Sequence, residues 1–144
     1  MATAIYDDHG IRFEYPADWS VEVPEDGPRK TVALQSPSGL AFALVTLDEE
    51  GLTPAEMADE ALAAMREEYP TMDVAPGRET LGGHPAIGHD LEFLSLDVPN
   101  SCVIRAFGTP RRCVLVFAQW SDLDDQDPEG QVNALRRSLE VTDS

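Results

Sequence analysis

The chain has 144 residues, 42% of them hydrophobic, which suits one domain with a packed core and argues against intrinsic disorder. Asp and Glu number 27 against 10 Lys and Arg, a formal charge of −17, so its field repels phosphate backbones and anionic lipid and attracts basic partners or cations. Nucleic acid and membrane are therefore not expected partners; no apolar run approaches the ~20 residues of a membrane-spanning helix, and the opening MATAIYDDHG lacks the basic and apolar regions of an export signal, so a cytoplasmic location is expected.

From the N-terminus, Ile11, Phe13 and Tyr15 alternate with Arg12 and Glu14, and Trp19, Val21 and Val23 alternate with Ser20 and Glu22. Period two with charge on the second face predicts half-buried strands toward a sheet edge. Pro16 offers no ladder donor, so the chain turns there, and the two strands read as a first hairpin. Tyr15 and Trp19 are expected to anchor that hairpin in the core; the competing reading is an aromatic lip on a pocket. The segment EDGP at 25–28 is a further turn signal, after which Val32 and Leu34 resume the alternation. LAFALVTL at 40–47 is apolar on both parities, as is CVLVFA at 113–118, and such strands require cover on both faces.

Two helices are predicted to supply that cover. Thr53-Pro54-Ala55-Glu56 combines a capping hydroxyl, proline at the first helical position and glutamate three residues after the cap. Leu52 can staple onto Met57; Met57, Ala61, Leu62, Met65 and Tyr69 share one face, and Pro70 ends the helix. A second helix opens at Asp127-Pro128 and turns Val132, Leu135 and Leu139 inward, with Arg136 and Arg137 near its C-terminus, where cations suit the dipole.

Between the helices, LGGH at 81–84 reads as a two-residue hairpin turn. The returning strand carries Ile87, His89, Leu91 and Phe93 on one face. The apolar phase then switches to Leu94, Leu96 and Val98, which predicts a bulge, and Pro99-Asn100 is expected to turn the chain. The next bend is Gly108-Thr109-Pro110-Arg111. It places Cys113 near the turn and Cys102 well up the other arm, ~15–20 Å apart at strand spacing and too far for a disulfide. Both are expected as buried thiols. The whole predicts a single domain, 1–144, of the α+β class: a mainly antiparallel sheet between helices, a three-layer α/β/α arrangement.

The chain resembles the PsbP-like superfamily over nearly its whole length. The resemblance rests on GIRFEYPADWSV, on the capped helix ending at YP, on LGGHPA leading into a long strand, and on the closing helix ending SLEV. Its members include the extrinsic photosystem II protein, the Ran-binding nuclear-import protein Mog, DcrB-type lipoproteins and type VI effector-associated chaperones. The matching residues, Gly10, Phe13, Tyr15, Pro16, Trp19, Gly83 and Pro85, are structural. The resemblance implies the fold and a protein-binding role, and no shared catalytic set.

Candidate chemistry is sparse. From Asp125, the string D-x-D-x-E-G mimics the start of a calcium loop, but position twelve is Arg136 where a bidentate glutamate is needed, so 121–130 reads as an acidic helix start. His9, His84 and His89 lack zinc spacing. No serine sits in a G-x-S-x-G context, Cys113 beside Arg112 lies in an apolar run, and GGHPAIG precedes a strand and so cannot cradle phosphate as a P-loop does. No catalytic, cofactor-binding or metal residue is assigned, and no cofactor is expected. The reading is a non-enzymatic protein-binding or chaperone-like module whose partner is another protein, basic ones included, engaged through the sheet edge or an acidic face; its oligomeric state is left open. The alternative is a small-molecule or ion binder, or a weak enzyme, built on the His89 region and the acidic segment 122–129.

Overall fold

A computed structural model describes residues 2–24 and 29–142; the turn expected at 25–28 lies outside the described residues. Strands β1 (Thr3–Asp8), β2 (Ile11–Pro16), β3 (Ser20–Glu22), β4 (Lys30–Gln35) and β5 (Ala41–Asp48) precede α1 (Pro54–Glu68). Then come β6 (Asp73–Leu81), β7 (His84–Ser95), β8 (Val98–Gly108), β9 (Cys113–Ser121), α2 (Pro128–Arg137) and β10 (Glu140–Val141). A seven-stranded sheet runs β3-β4-β5-β9-β8-β7-β6, and a three-stranded sheet runs β1-β2-β10; every pairing is antiparallel. The fold is α+β, with one helix on each face of the large sheet. On the inner face α2 shares its layer with the small sheet, and Ile11, Phe13, Val45, Phe107, Val116, Val132 and Leu135 pack into one core. On the outer face α1 covers β7, β8 and β9 and packs Met57, Ala58 and Met65 onto Leu91, Phe93, Cys102 and Ile104. No described helix is long and apolar enough to cross a membrane.

The local signals at α1 act as written. The Thr53 hydroxyl accepts from the Glu56 backbone N–H at 3.1 Å while the Glu56 carboxylate accepts from the Thr53 N–H at 3.0 Å. Leu52 joins Met57 in the same cluster. The turn at Gly82-Gly83 has φ of 56° and 82°, the left-handed pair that a two-residue hairpin requires and that glycine adopts without strain.

Three expectations need correction. Residues 9–24 do not form a hairpin: β2 pairs with β1 and β10 in the small sheet, whereas β3 pairs with β4 at the edge of the large one. The Pro16–Trp19 corner, closed by the Trp19 N–H donating to the Pro16 carbonyl at 3.0 Å, is thus a crossing between sheets. Alternation gives a strand's face but not its partner, and β1, short and mostly exposed, carries too little apolar signal to announce itself. Nor is there a bulge after Phe93. Strand β7 runs straight to Ser95, and the turn is Leu96-Asp97 with φ of 52° and 65°, so Pro99 and Asn100 lie inside β8. Leucine rarely takes that conformation, so turn chemistry pointed to the nearby proline instead. Finally, cover on both faces is complete only on the inner side. Ala41, Ala43, Val45, Val114, Val116 and Ala118 are buried there, while Phe42, Leu44, Leu115 and Phe117 on the outer side are half-buried.

Candidate functional site

Two places on the large sheet depart from a filled wall. The first is on the inner face toward β6. Register aligns Gly77 with Gly88 and Gly88 with Arg105, so the arginine side chain lies back over two strands that present no Cβ. A Cβ at Gly77 would stand 2.3 Å from Arg105 Nη1, and one at Gly88 would stand 1.8 Å from the Ile104 carbonyl oxygen. These glycines serve space, not a turn. Arg105 is only 6% exposed and is fully engaged. Its Nε donates to Glu79 Oε2 at 2.7 Å, Nη1 donates to the Ile104 carbonyl at 2.9 Å, and Nη2 pairs with Asp90 Oδ1 at 2.9 Å. The same Glu79 oxygen lies 2.8 Å from Nε of Arg136, which comes down from α2; the two are ion-paired although the N–H is not aimed along the contact. Burial pushes the Arg136 guanidinium below its ordinary range, and the charge of Glu79 opposes that shift. Above these groups opens a cavity of about 500 Å³ lined by Arg105, Arg136, Asn133, Glu129, Trp120, Asp73 and Glu92, among others.

The second place is the outer face beside α1. The helix covers β7–β9, and the surface over β5 and β4 is left with Phe42, Leu44 and Phe117 half-buried, the two phenylalanine rings stacked at 6.0 Å. A hollow of about 250 Å³ lies at its margin, lined by Ser20 and Glu22 of the edge strand β3 together with Gln35, Phe42 and Leu44. Arg29 ties one end of this face to the helix, its Nη1 donating to Glu60 Oε1 at 2.8 Å and its Nε to the buried Asp48 at 3.2 Å. That contact holds the Glu60 carboxyl below its ordinary range.

The residues singled out from sequence are dispersed. His89 Nε2 lies 3.2 Å from Asp59 Oδ1 on the outer face; His84 stacks on Phe107 at 5.3 Å; His9 Nδ1 meets the Tyr6 hydroxyl at 2.6 Å. The acidic segment occupies the β9–α2 connection, where the Asp127 side chain caps α2 by accepting from the Gly130 N–H at 3.2 Å. Among the described residues no three His, Cys, Asp or Glu side chains converge to hold a metal ion. The structure does not bring His89 and 122–129 together: Glu129 alone of that segment reaches the inner cavity, and His89 contributes only its carbonyl, 3.4 Å from Arg105 Nη1. Trp19 is a core residue at 5% exposed, while Tyr15 lines a separate cavity of about 360 Å³ between the end of β2 and α2. Both cysteines are buried and free; burial, with Asp48 adding, pushes Cys113 up to about 11, and burial, with Asp90 adding, raises Cys102 further.

Sequence reading missed Arg105, Arg136 and their two glycines. The signal was present in CVIRAF, where Arg105 interrupts an apolar run at a position with the inward parity of Val103 and Phe107. Arg136 looked like an ordinary cation at a helix end, and only the fold shows it buried.

No protein-family model and no curated protein sequence matches the chain. Solved structures do. Cyanobacterial PsbP (CyanoP) from Synechocystis sp. PCC 6803 superposes with a TM-score of 0.67 at 10% identity, over 96% of this chain and 92% of that one. LpqN of Mycobacterium tuberculosis, a protein involved in cell envelope biogenesis, gives 0.57 at 14% identity over 98% and 91%. PA94 from Pseudomonas aeruginosa gives 0.52 at 14% over 94% of each. The chain has the PsbP-like fold.

Proposed function

We propose that this PsbP-like domain is a non-enzymatic binding or chaperone-like module that works in the cytoplasm and holds another protein against the outer face of its large sheet. One observation supports the reading above the rest: α1 leaves Phe42, Leu44 and Phe117 half-buried beside the three-residue edge strand β3, although the inner sides of the same strands are closed. An apolar patch with a polar rim marks an interaction surface. Glu22 on β3 and Glu60 on α1 border it, and the net charge of −17 favours a partner with a basic, amphipathic segment. The short edge strand adds backbone donors and acceptors that an extended partner segment can pair with.

The test is site-specific photocrosslinking in the source cell. A benzophenone side chain at Phe42 is expected to give a discrete adduct, identified by mass spectrometry, that is lost when Leu44 is changed to Asp. The same probe at Asp7, on the far sheet, is expected to give none. Absence of an adduct at position 42, or the same adduct from both positions, overturns the proposal.

A further inference from the structure

The inner cavity has a polarity that its structural role does not explain. Asp73 of β6 and Glu92 of β7 are direct cross-strand partners, two carboxylates on one face, and both are exposed at the cavity with no salt-bridge partner among the described residues. Like charges facing each other across a ladder destabilise it. Glu129 of α2 adds to the lining a third carboxylate with no salt-bridge partner among the described residues. Deeper in, two side chains that are more than nine-tenths buried keep donors in reserve. Arg136, 6% exposed, donates from Nη1 to Asn133 Oδ1 at 2.9 Å and is ion-paired through Nε, but its Nη2 has no hydrogen-bond partner among the described residues. Trp120, 9% exposed, lines the same cavity, and its indole N–H likewise has no partner among the described residues. Water can serve these groups singly; the separation of unspent donors below from unspent acceptors at the rim is what requires a reason. At about 500 Å³ the cavity falls within the ~300–1,000 Å³ typical of small-molecule sites.

We propose that this cavity binds a zwitterion of amino-acid size carrying a second cationic group, its carboxylate on Arg136 Nη2 and the Trp120 indole N–H and its cations on Asp73, Glu92 and Glu129. An anion alone would meet the rim repulsion, and a cation alone would leave these donors to solvent. A basic amino acid such as arginine satisfies both ends, and its guanidinium can lie against the tryptophan ring. Arg105 is a positioning residue here: paired with Glu79 and Asp90, it fixes the Glu79 carboxylate that in turn holds Arg136. The site is on the opposite face from the proposed docking surface and stands or falls separately from it.

The test is an NMR titration of the labelled full chain, read at the two indole N–H resonances, with the core residue Trp19 as internal control. L-Arginine is expected to shift the Trp120 resonance saturably in the millimolar range and leave Trp19 unmoved. Agmatine, which lacks the carboxylate, is expected to bind at least fivefold more weakly, and glutarate, which lacks the cation, to give no shift. A peptide ending in arginine, compared with the free amino acid, tells whether the source is a metabolite or a chain terminus. Asp73→Asn with Glu92→Gln is expected to weaken arginine at least tenfold while raising Tm, because the same change removes the cross-strand repulsion; a merely structural pair would not link the two. No Trp120 shift at 10 mM arginine, equal binding of agmatine, or undiminished binding by the double variant overturns the proposal.

Discussion

Glu79→Gln is the perturbation that most directly tests the buried network. One carboxylate oxygen serves two arginines, 2.7 Å from Arg105 Nε and 2.8 Å from Arg136 Nε. Glutamine keeps the volume and one carbonyl acceptor but removes the charge, leaving Asp90 to serve Arg105 and Arg136 with no ion-pair partner among the described residues. Breaking a buried pair by neutralising one member costs about 3–5 kcal/mol. Glu79 is 18% exposed and both of its arginine partners line a water-accessible cavity, so solvent relaxation brings the expected loss to about 2–3 kcal/mol. For a domain of this size each kcal/mol moves Tm by about 2–4 °C, so a drop of roughly 5–10 °C is expected. Urea unfolding followed by tryptophan fluorescence measures it. The cycle with Arg136→Met is expected to show a coupling of at least ~1 kcal/mol, because the two residues touch. A Glu79→Gln variant within ~0.5 kcal/mol of the parent would refute the account of Glu79 as the shared counter-charge.

Gly88→Ala places a Cβ 1.8 Å from the Ile104 carbonyl oxygen, where only backbone can yield, so a loss of at least ~3 kcal/mol is expected; Gly77→Ala meets the movable end of Arg105 and is expected to cost less, which paired melting curves compare directly. The Cys113 thiol, held up to about 11 in the fold, gives a stability contribution that is whole below the unfolded thiol's ~8.5 and is lost as pH rises through 11. The urea midpoint should therefore fall from pH 8 to pH 10.5, and a disulfide reagent at pH 8 should label neither cysteine before unfolding; prompt labelling would contradict the burial. Replacing Leu96-Asp97 with Asn-Gly suits both left-handed positions and removes a leucine that is 96% exposed, with an expected gain of ~1 kcal/mol by denaturant titration.

Helix α1, the Gly82-Gly83 turn and the two-sided character of β5 and β9 could be read from sequence because each is fixed by neighbours in the chain or by parity. What could not be read was set by distant pairing. Whether β2 meets β3 or β10 depends on which sheet the Pro16–Trp19 corner feeds, and neither strand's residues encode that. The Leu96-Asp97 turn stayed hidden because its residues oppose their own conformation. At the inner cavity, Arg105 carried a parity signal, but Gly77, Gly88, Glu79 and Arg136 acquire meaning only when β6, β7, β8 and α2 come together. The uncovered half of the outer face was equally illegible: composition demands cover for Phe42 and Leu44 and does not say how far one helix reaches.

The seam between β5 and β9 joins Ala41 to Trp120 and Asp48 to Cys113, so the middle of the large sheet unites segments from opposite ends of the chain. The β6–β9 meander closes through short hairpins and can assemble early; β5 must wait for it, because long-range strand pairing bears the full loop-closure entropy. At the far end of the chain, β10 adds only two residues of pairing to β2. Until β5 seats, the greasy flank of β9 has no strand to mate with, so a change that slows that single zippering step is expected to lengthen the time in which nascent molecules can clump.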